Sequence, residues 1–354
     1  MKKLLATVLA LTLTFGTFAL PSAEGGLTLS DFAITVGAEE SDDYGYIYGD
    51  FRYDYYDDDG NLYISDYVGN DANIVIPSSI NGKSVTAIGN AAFQKNDKIK
   101  SVIIPEGVKT IDAYAFMDCV NLTNVTLPNS LTSIDVCAFY KDANLKDITI
   151  PESVTFFGSD SFDETGWMKK QQEKSPFVIV NNMLLDARTC KGDIVIPENV
   201  TSICDAALAS NDQITSVKIL SNVKYCGTDV FAHCQNLVSV DYNADTSYIP
   251  GECFWDCPSL EKVTMSDNIT DIYYSAFSEC SKLKDVTLSK NLQNINSHAF
   301  YNCLELDSIN LPATLEYIGD LAFGVCKKLE TIYIPASVTL ISCTAFHSCP
   351  NFKS

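Results

Sequence analysis

The sequence predicts an α/β repeat solenoid: a right-handed arc with one short parallel strand and one short helical or 3₁₀ segment in each 23-residue turn. Three observations carry this. Phe93, Phe116, Phe139 and Phe162, and then Phe231, Phe254, Phe277, Phe300, Phe323 and Phe346, recur every 23 residues. The one larger gap, from Phe162 to Phe231, is 69 residues, three periods, with Leu208 standing at one missing position. Around each Phe the other apolar residues keep fixed offsets. A period of this size is the signature of a solenoid, because one unit cannot bury its own apolar face and a stack of units can.

The turn on Phe116 shows the unit. Ile111, Ala115, Phe116 and Cys119 stand at i, i+4, i+5 and i+8, which predicts about two turns of helix or 3₁₀-helix. From Val125 to Leu127 the period becomes two, which is strand spacing, and Pro128 ends the strand because it has no N–H for a ladder. About twelve such turns at about 4.8 Å each give a rod or arc of roughly 55–60 Å. Parallel crossovers make the coil right-handed.

The chain before the array divides into three parts. Residues 1–23 have the pattern of a secretory signal: Lys2 and Lys3, an apolar run from Leu4, and small residues up to Ala23. A second candidate cleavage site is Val36-Gly37-Ala38. Residues 24–43 read as an acidic linker. Residues 44–77 are rich in tyrosine and predict a β-hairpin, with the strand FRYDYY, a turn at Asp57–Asn61 and the strand NLYISDYV. This hairpin is expected to cap the first turn of the array. The Asp run lacks the residues of a calcium loop, since Tyr55 stands where the first ligand belongs and no Glu closes it.

Repeats then run over 78–162 and 194–354. Between them, 163–193 is an insertion: WMKKQQEK replaces an expected strand, and FVIV-Asn181-Asn182-MLLDA predicts a second hairpin. Phe162 to Leu208 is 46 residues, two periods, so the insertion keeps phase and the solenoid continues through it.

The motif A-F-x-x-C-x-x-L-x-x-V-x-L-P-x-x-L-x-x-I, carried by Ala115–Ile134 and echoed by Ala322–Ile341, resembles the BspA-type leucine-rich repeats of bacterial surface proteins. The resemblance covers roughly 74–354. Local departures are Leu208 for Phe, Asn243, Ser266 and Ser289 for Pro, and Cys226 for Ile. It implies a leucine-rich-repeat solenoid. It also implies export or display at the surface, where several such proteins are adhesins for host matrix proteins or other cells.

Composition limits the partners. The net charge is −21, or −23 once Lys2 and Lys3 are removed with a signal, which repels nucleic acid and anionic membranes. No stretch after the signal is long and apolar enough to span a bilayer. Seven of the thirteen Cys (Cys119, Cys234, Cys257, Cys280, Cys303, Cys326 and Cys349) stand three residues after the indexed position. Such a column is expected to be reduced core thiols, because parallel Cβ vectors suit a disulfide poorly.

Catalysis has little to work with: three His, none paired with a nucleophile, and no metal spacing. No cofactor is expected. The exposed faces of the strands are rich in Ser and Thr, a solvated ladder. Aromatic residues mark the candidate binding positions: Tyr242, Tyr248, Trp255, Tyr273 and Tyr274 in neighbouring turns, and Tyr333 further on. The expected protein is secreted or surface-exposed and non-enzymatic, mediating adhesion or recognition of a host matrix or cell-surface protein, or a glycan. The alternative is a spacer or scaffold with no ligand of its own.

Overall fold

A computed structural model describes residues 45–56 and 60–352. The signal and linker at 1–43, and the turn residues Asp57 to Asp59, lie outside the described residues. The described chain is a parallel-strand solenoid of about twelve turns with little helix. Most turns contribute two strands rather than one, although 147–149, 308–310 and 331–333 form none at the first-ladder position. The first ladder is built from three- to six-residue strands such as Ser101–Ile103 and Asn124–Thr126, and after the insertion Ile214–Ile219, Ser239–Tyr242 and Lys262–Met265. The second is built from two-residue strands, including Thr110–Ile111, Ser133–Ile134 and Phe156–Phe157. Both pair in parallel at a 23-residue offset, as in Ser133 with Thr110 and Ser239 with Ser216.

The segment expected to be helical is instead a run of overlapping turns. Ile111 belongs to the second ladder. Beyond it the amides alternate. Ala115, Met117 and Cys119 donate to the carbonyl three residues back (3.2, 3.0 and 3.2 Å), while Tyr114, Phe116 and Asp118 donate to Val136, Ala138 and Tyr140 of the next turn (2.9, 2.8 and 2.8 Å). A helix would spend every amide within itself and leave none for the neighbour. The alternation requires left-handed residues two before and two after the Phe, here Tyr114 (φ 62°) and Asp118 (φ 60°), and most turns repeat it. Each such residue costs about 1–2 kcal/mol in an L-amino acid. Coil-to-coil hydrogen bonds offset that cost.

The Phe residues stack ring on ring through the core. Centroids lie 4.9–5.3 Å apart from Phe93 to Phe162 and 5.1–5.5 Å apart from Phe231 to Phe346. Tyr67 of the N-terminal hairpin begins the column on Phe93, and Phe352 stacks on Phe346. Beside the rings runs the thiol column. Each S–H donates to the carbonyl of the indexed residue one turn back, as Cys119 does to Phe93 (3.0 Å) and Cys280 to Phe254 (3.1 Å). All thirteen cysteines are free. Cys here is a small apolar filler that also satisfies a buried carbonyl.

The N-terminal hairpin pairs Phe51–Tyr55 with Leu62–Tyr67, is widened by Tyr46–Tyr48 and is continued in parallel by Lys83–Ile88. Asn81 (φ 51°) and Gly82 (φ 78°) close a further two-residue hairpin between Ser79–Ile80 and Lys83, the turn that such a link requires.

The insertion opens with the helix Gly166–Lys174, capped by Thr165, whose hydroxyl accepts from the Met168 N–H (2.9 Å). Trp167 closes the first Phe column against Phe162. The hairpin Val178–Val180 on Met183–Asp186 turns through Asn181 and Asn182, both left-handed, and Met183–Asp186 starts the next ladder by pairing with Ser202–Ile203. Two apolar clusters meet here, and an ionic knot joins them. Arg188 reaches Asp186 (2.5 Å), Asp160 (3.0 Å) and Asp163 (3.1 Å), and the other oxygen of the fully buried Asp186 accepts from Gln172 (2.9 Å).

Asp142 occupies the thiol position in the turn on Phe139 and is fully buried. One carboxyl oxygen accepts the Cys119 N–H (2.7 Å) and the other has no partner. Burial pushes its pKa up to about 9, with Asp118 adding to the rise and the Cys119 N–H opposing it. Burial thus favours the protonated form of this acid in the fold.

Two predictions follow from these sites. Unfolded, Asp142 titrates near about 3.9, so the unfolded chain holds fewer protons across the range between that value and about 9. Stability is full below the unfolded pKa and is lost as pH rises through the folded one, by up to about 1.4 kcal/mol per pH unit. Asp142→Asn keeps both an acceptor and a donor; urea unfolding at about pH 5 and about pH 8 should show the variant the more stable at high pH, with a flatter profile. Arg188→Ala leaves three carboxylates unpaired at the junction and should cost about 3–5 kcal/mol. Calorimetry should then resolve two transitions where the parent shows one.

Candidate recognition surface

The two ladders present different faces. On the first, lysines are tied to carboxylates one turn away: Lys218 to Asp241 (3.4 Å), Lys262 to Asp285 (3.0 Å) and Lys284 to Glu261 (2.7 Å). Thr215 and Ser216 donate to Asp193 (2.8 and 2.7 Å). These exposed contacts set register and solubility more than stability. A groove of about 450 Å³ opens where the insertion helix leaves this face, lined in part by Thr126, Asp147, Thr149 and Gln171.

The second ladder carries a tyrosine pad. Tyr248 and Tyr273 lie ring on ring, centroids 5.1 Å apart and planes within 6°. Tyr274, 51% exposed, lies over Gly251, where any Cβ would come within 2.5 Å of its ring. Tyr225, one turn before Tyr248 in the same register, is exposed beside them. Asp205, Asp229 and Glu252 border the pad. Glu252 is raised by burial and by Asp229; Asp205 is raised by burial and then by Asp229, with the Thr228 N–H opposing. Burial pushes the Tyr248 hydroxyl up to about 12, with Tyr225 and Tyr273 contributing.

The residues expected to bind therefore separate. Tyr248, Tyr273 and Tyr274 come together. Tyr242 does not join them: it is 0% exposed, with its ring edge-on to Phe254 and its hydroxyl near Thr246 and the Tyr248 carbonyl (3.5 and 3.4 Å). This corrects the expectation, and the register explains it, since Tyr242 stands where Leu127 and Ile219 stand, at an inward strand position. Trp255 is half-buried against His233 (4.6 Å), on the turn segment. Tyr333 is 81% exposed on the first-ladder side. Tyr225 was missed, although its 23-residue offset from Tyr248 was visible in the sequence.

Other chemistry is thin. His233 faces Asp256 (2.9 Å), while the neighbouring Cys234 thiol points inward to the Leu208 carbonyl (3.2 Å). Among the described residues, no group of three or more His, Cys, Asp or Glu could hold a metal ion, and no helix is long and apolar enough to cross a membrane.

Such a coil, with a short parallel strand, a turn segment and a buried Leu, Phe and Cys in most periods, is a leucine-rich-repeat solenoid. The chain belongs to the BspA type leucine rich repeat family, whose model matches in six copies over residues 70–185, 178–305 and 247–354. No curated protein matches it. Among solved structures it is similar to a leucine-rich repeat protein from Bacteroides ovatus, at 24% identity over 86% of this chain and 92% of the other, with a TM-score of 0.45. It is also similar to a leucine rich cell surface protein from Faecalibacterium prausnitzii, at 24% identity over 90% and 94%, with a TM-score of 0.39. A third is a leucine-rich repeat protein from Eubacterium ventriosum, at 22% identity over 82% and 91%, with a TM-score of 0.43.

The thiols yield a prediction. Burial drives the column thiols up, Cys234 to about 12, whereas Cys349 is lowered to about 7 by the Cys326 thiol beside it and by backbone N–H groups, and Cys343 is exposed. Iodoacetamide at about pH 8 should label Cys343 and Cys349 in the folded protein and the other column thiols only after denaturation, as read by mass spectrometry.

Proposed function

We propose that the protein is an exported or surface-displayed recognition module that mediates adhesion or protein–protein recognition, without enzymatic activity. The observation that carries this reading is the tyrosine pad. Exposed aromatic side chains from consecutive turns gather on one face of the solenoid, and Tyr is a preferred anchor of interfaces. Membership of a family of bacterial repeat proteins supports it, as does the signal-like N-terminus. The partners to test are host matrix proteins, cell-surface proteins and glycans.

A second reading, a ligand-free spacer, draws on the first ladder, whose lysines are already paired within the solenoid. Immobilised protein should bind a matrix protein or glycan saturably, and Tyr273→Ala/Tyr274→Ala should weaken that binding about tenfold or more. Saturable binding that the double variant keeps would move the site elsewhere, with Tyr333 the next position to test. No binding to any of a broad panel favours the spacer.

A further inference from the structure

Charge is distributed unevenly around the coil. From six residues before each indexed Phe or Leu to two before it, the turns carry carboxylates again and again (Asp112, Asp135, Asp205, Asp229, Glu252 and Asp271 among them) and no Lys or Arg. The lysines of the ladder pairs lie on the opposite strand face. The second-ladder side is thus an acidic ridge with the tyrosine pad within it; the cations that border it, Arg188 and Lys224, are already tied to Asp160, Asp163 and Asp186 and to Asp245. The carboxylates crowd one hydroxyl: Tyr274 is raised by burial and then by Glu252, Asp229 and Asp205, although Asp205 also accepts the Thr228 N–H (2.8 Å).

We propose that this face docks a basic polypeptide segment, with Lys or Arg side chains lying across Tyr248, Tyr273 and Tyr274 and their charges meeting Asp205, Asp229 and Glu252. The proposal rests on the recognition reading above and specifies its partner. Charge complementarity selects the occupant, since the ridge repels acidic chains and offers a neutral ligand no use for three crowded carboxylates. The tyrosines select a cation on a long apolar stem over a bare one, because an aromatic face attracts the charge and covers the methylenes. Spacing agrees. The carboxylates come from three successive turns, so they span about 10 Å at about 4.8 Å per turn, the reach of three or four extended residues.

The test is calorimetric titration of the full chain with an alternating Lys-Ser dodecapeptide at about 20 mM and about 150 mM salt. Saturable one-to-one binding that weakens at the higher salt is expected. Tyr273→Ala and Glu252→Gln should each lower affinity by about tenfold, while Glu305→Gln, on the opposite side, should leave it within about twofold. Melting curves check that the variants fold, and Glu252→Gln preserves shape if Tyr273→Ala does not. Absence of peptide binding, equal binding by the Tyr273→Ala/Glu252→Gln double variant, or spermine binding as tightly as the peptide with no dependence on Tyr273 would each overturn the proposal. If the peptide fails while a matrix protein or glycan binds in a Tyr273-dependent way, this inference falls and the recognition reading stands. If both assays fail, both fall.

Discussion

The structure depends on identity between neighbouring turns. Because the period stays at 23 residues, each group meets its own copy one turn away: ring on ring, amide on carbonyl, thiol on the carbonyl beside the ring. The Phe93, Phe116 and Phe139 amides show this, each donating to the turn that follows (2.7–2.8 Å) while their side chains stack. Ladder hydrogen bonds fix the separation of the turns, and the rings fill the space that separation leaves. Left-handed residues at Tyr114 and Asp118 are tolerated because the alternation of amides cannot be made without them. Where identity fails, the chain substitutes something specific: Trp167 ends one ring column, and Arg188 binds three carboxylates across the gap.

Much of this was legible in the residues. The Phe series gave the period, the in-phase gap kept that period on both sides of the insertion, although among the described residues no strand pairs across it, and Asn181-Asn182 marked the second hairpin. The second ladder was not legible, since Ile111, Ala115, Phe116 and Cys119 fit a helical stripe as well as they fit a two-residue strand followed by turns. Side-chain spacing reports which residues point inward; it does not report where amides donate. The Asn81-Gly82 pair was an available signal for the two-residue hairpin that it closes.

The binding surface was legible only in part. Aromatic residues were singled out by type, and type alone cannot separate Tyr242, inward at the register of Leu127, from Tyr273, outward beside Tyr248. Register would have excluded Tyr242 and included Tyr225. Charge partition was equally available by sorting residues on their offset from Phe. That sorting leaves one face with paired lysines and the other with carboxylates and tyrosines, two surfaces of different chemistry on one scaffold.

The most direct measurement of nearest-neighbour dependence is native-state hydrogen exchange on Phe277→Ala. Removing one ring from the middle of the column should cost about 3–5 kcal/mol and lower amide protection in the turns on Phe254 and Phe300 as well as its own, fading with distance. Loss confined to the turn on Phe277, with its neighbours fully protected, would contradict the account.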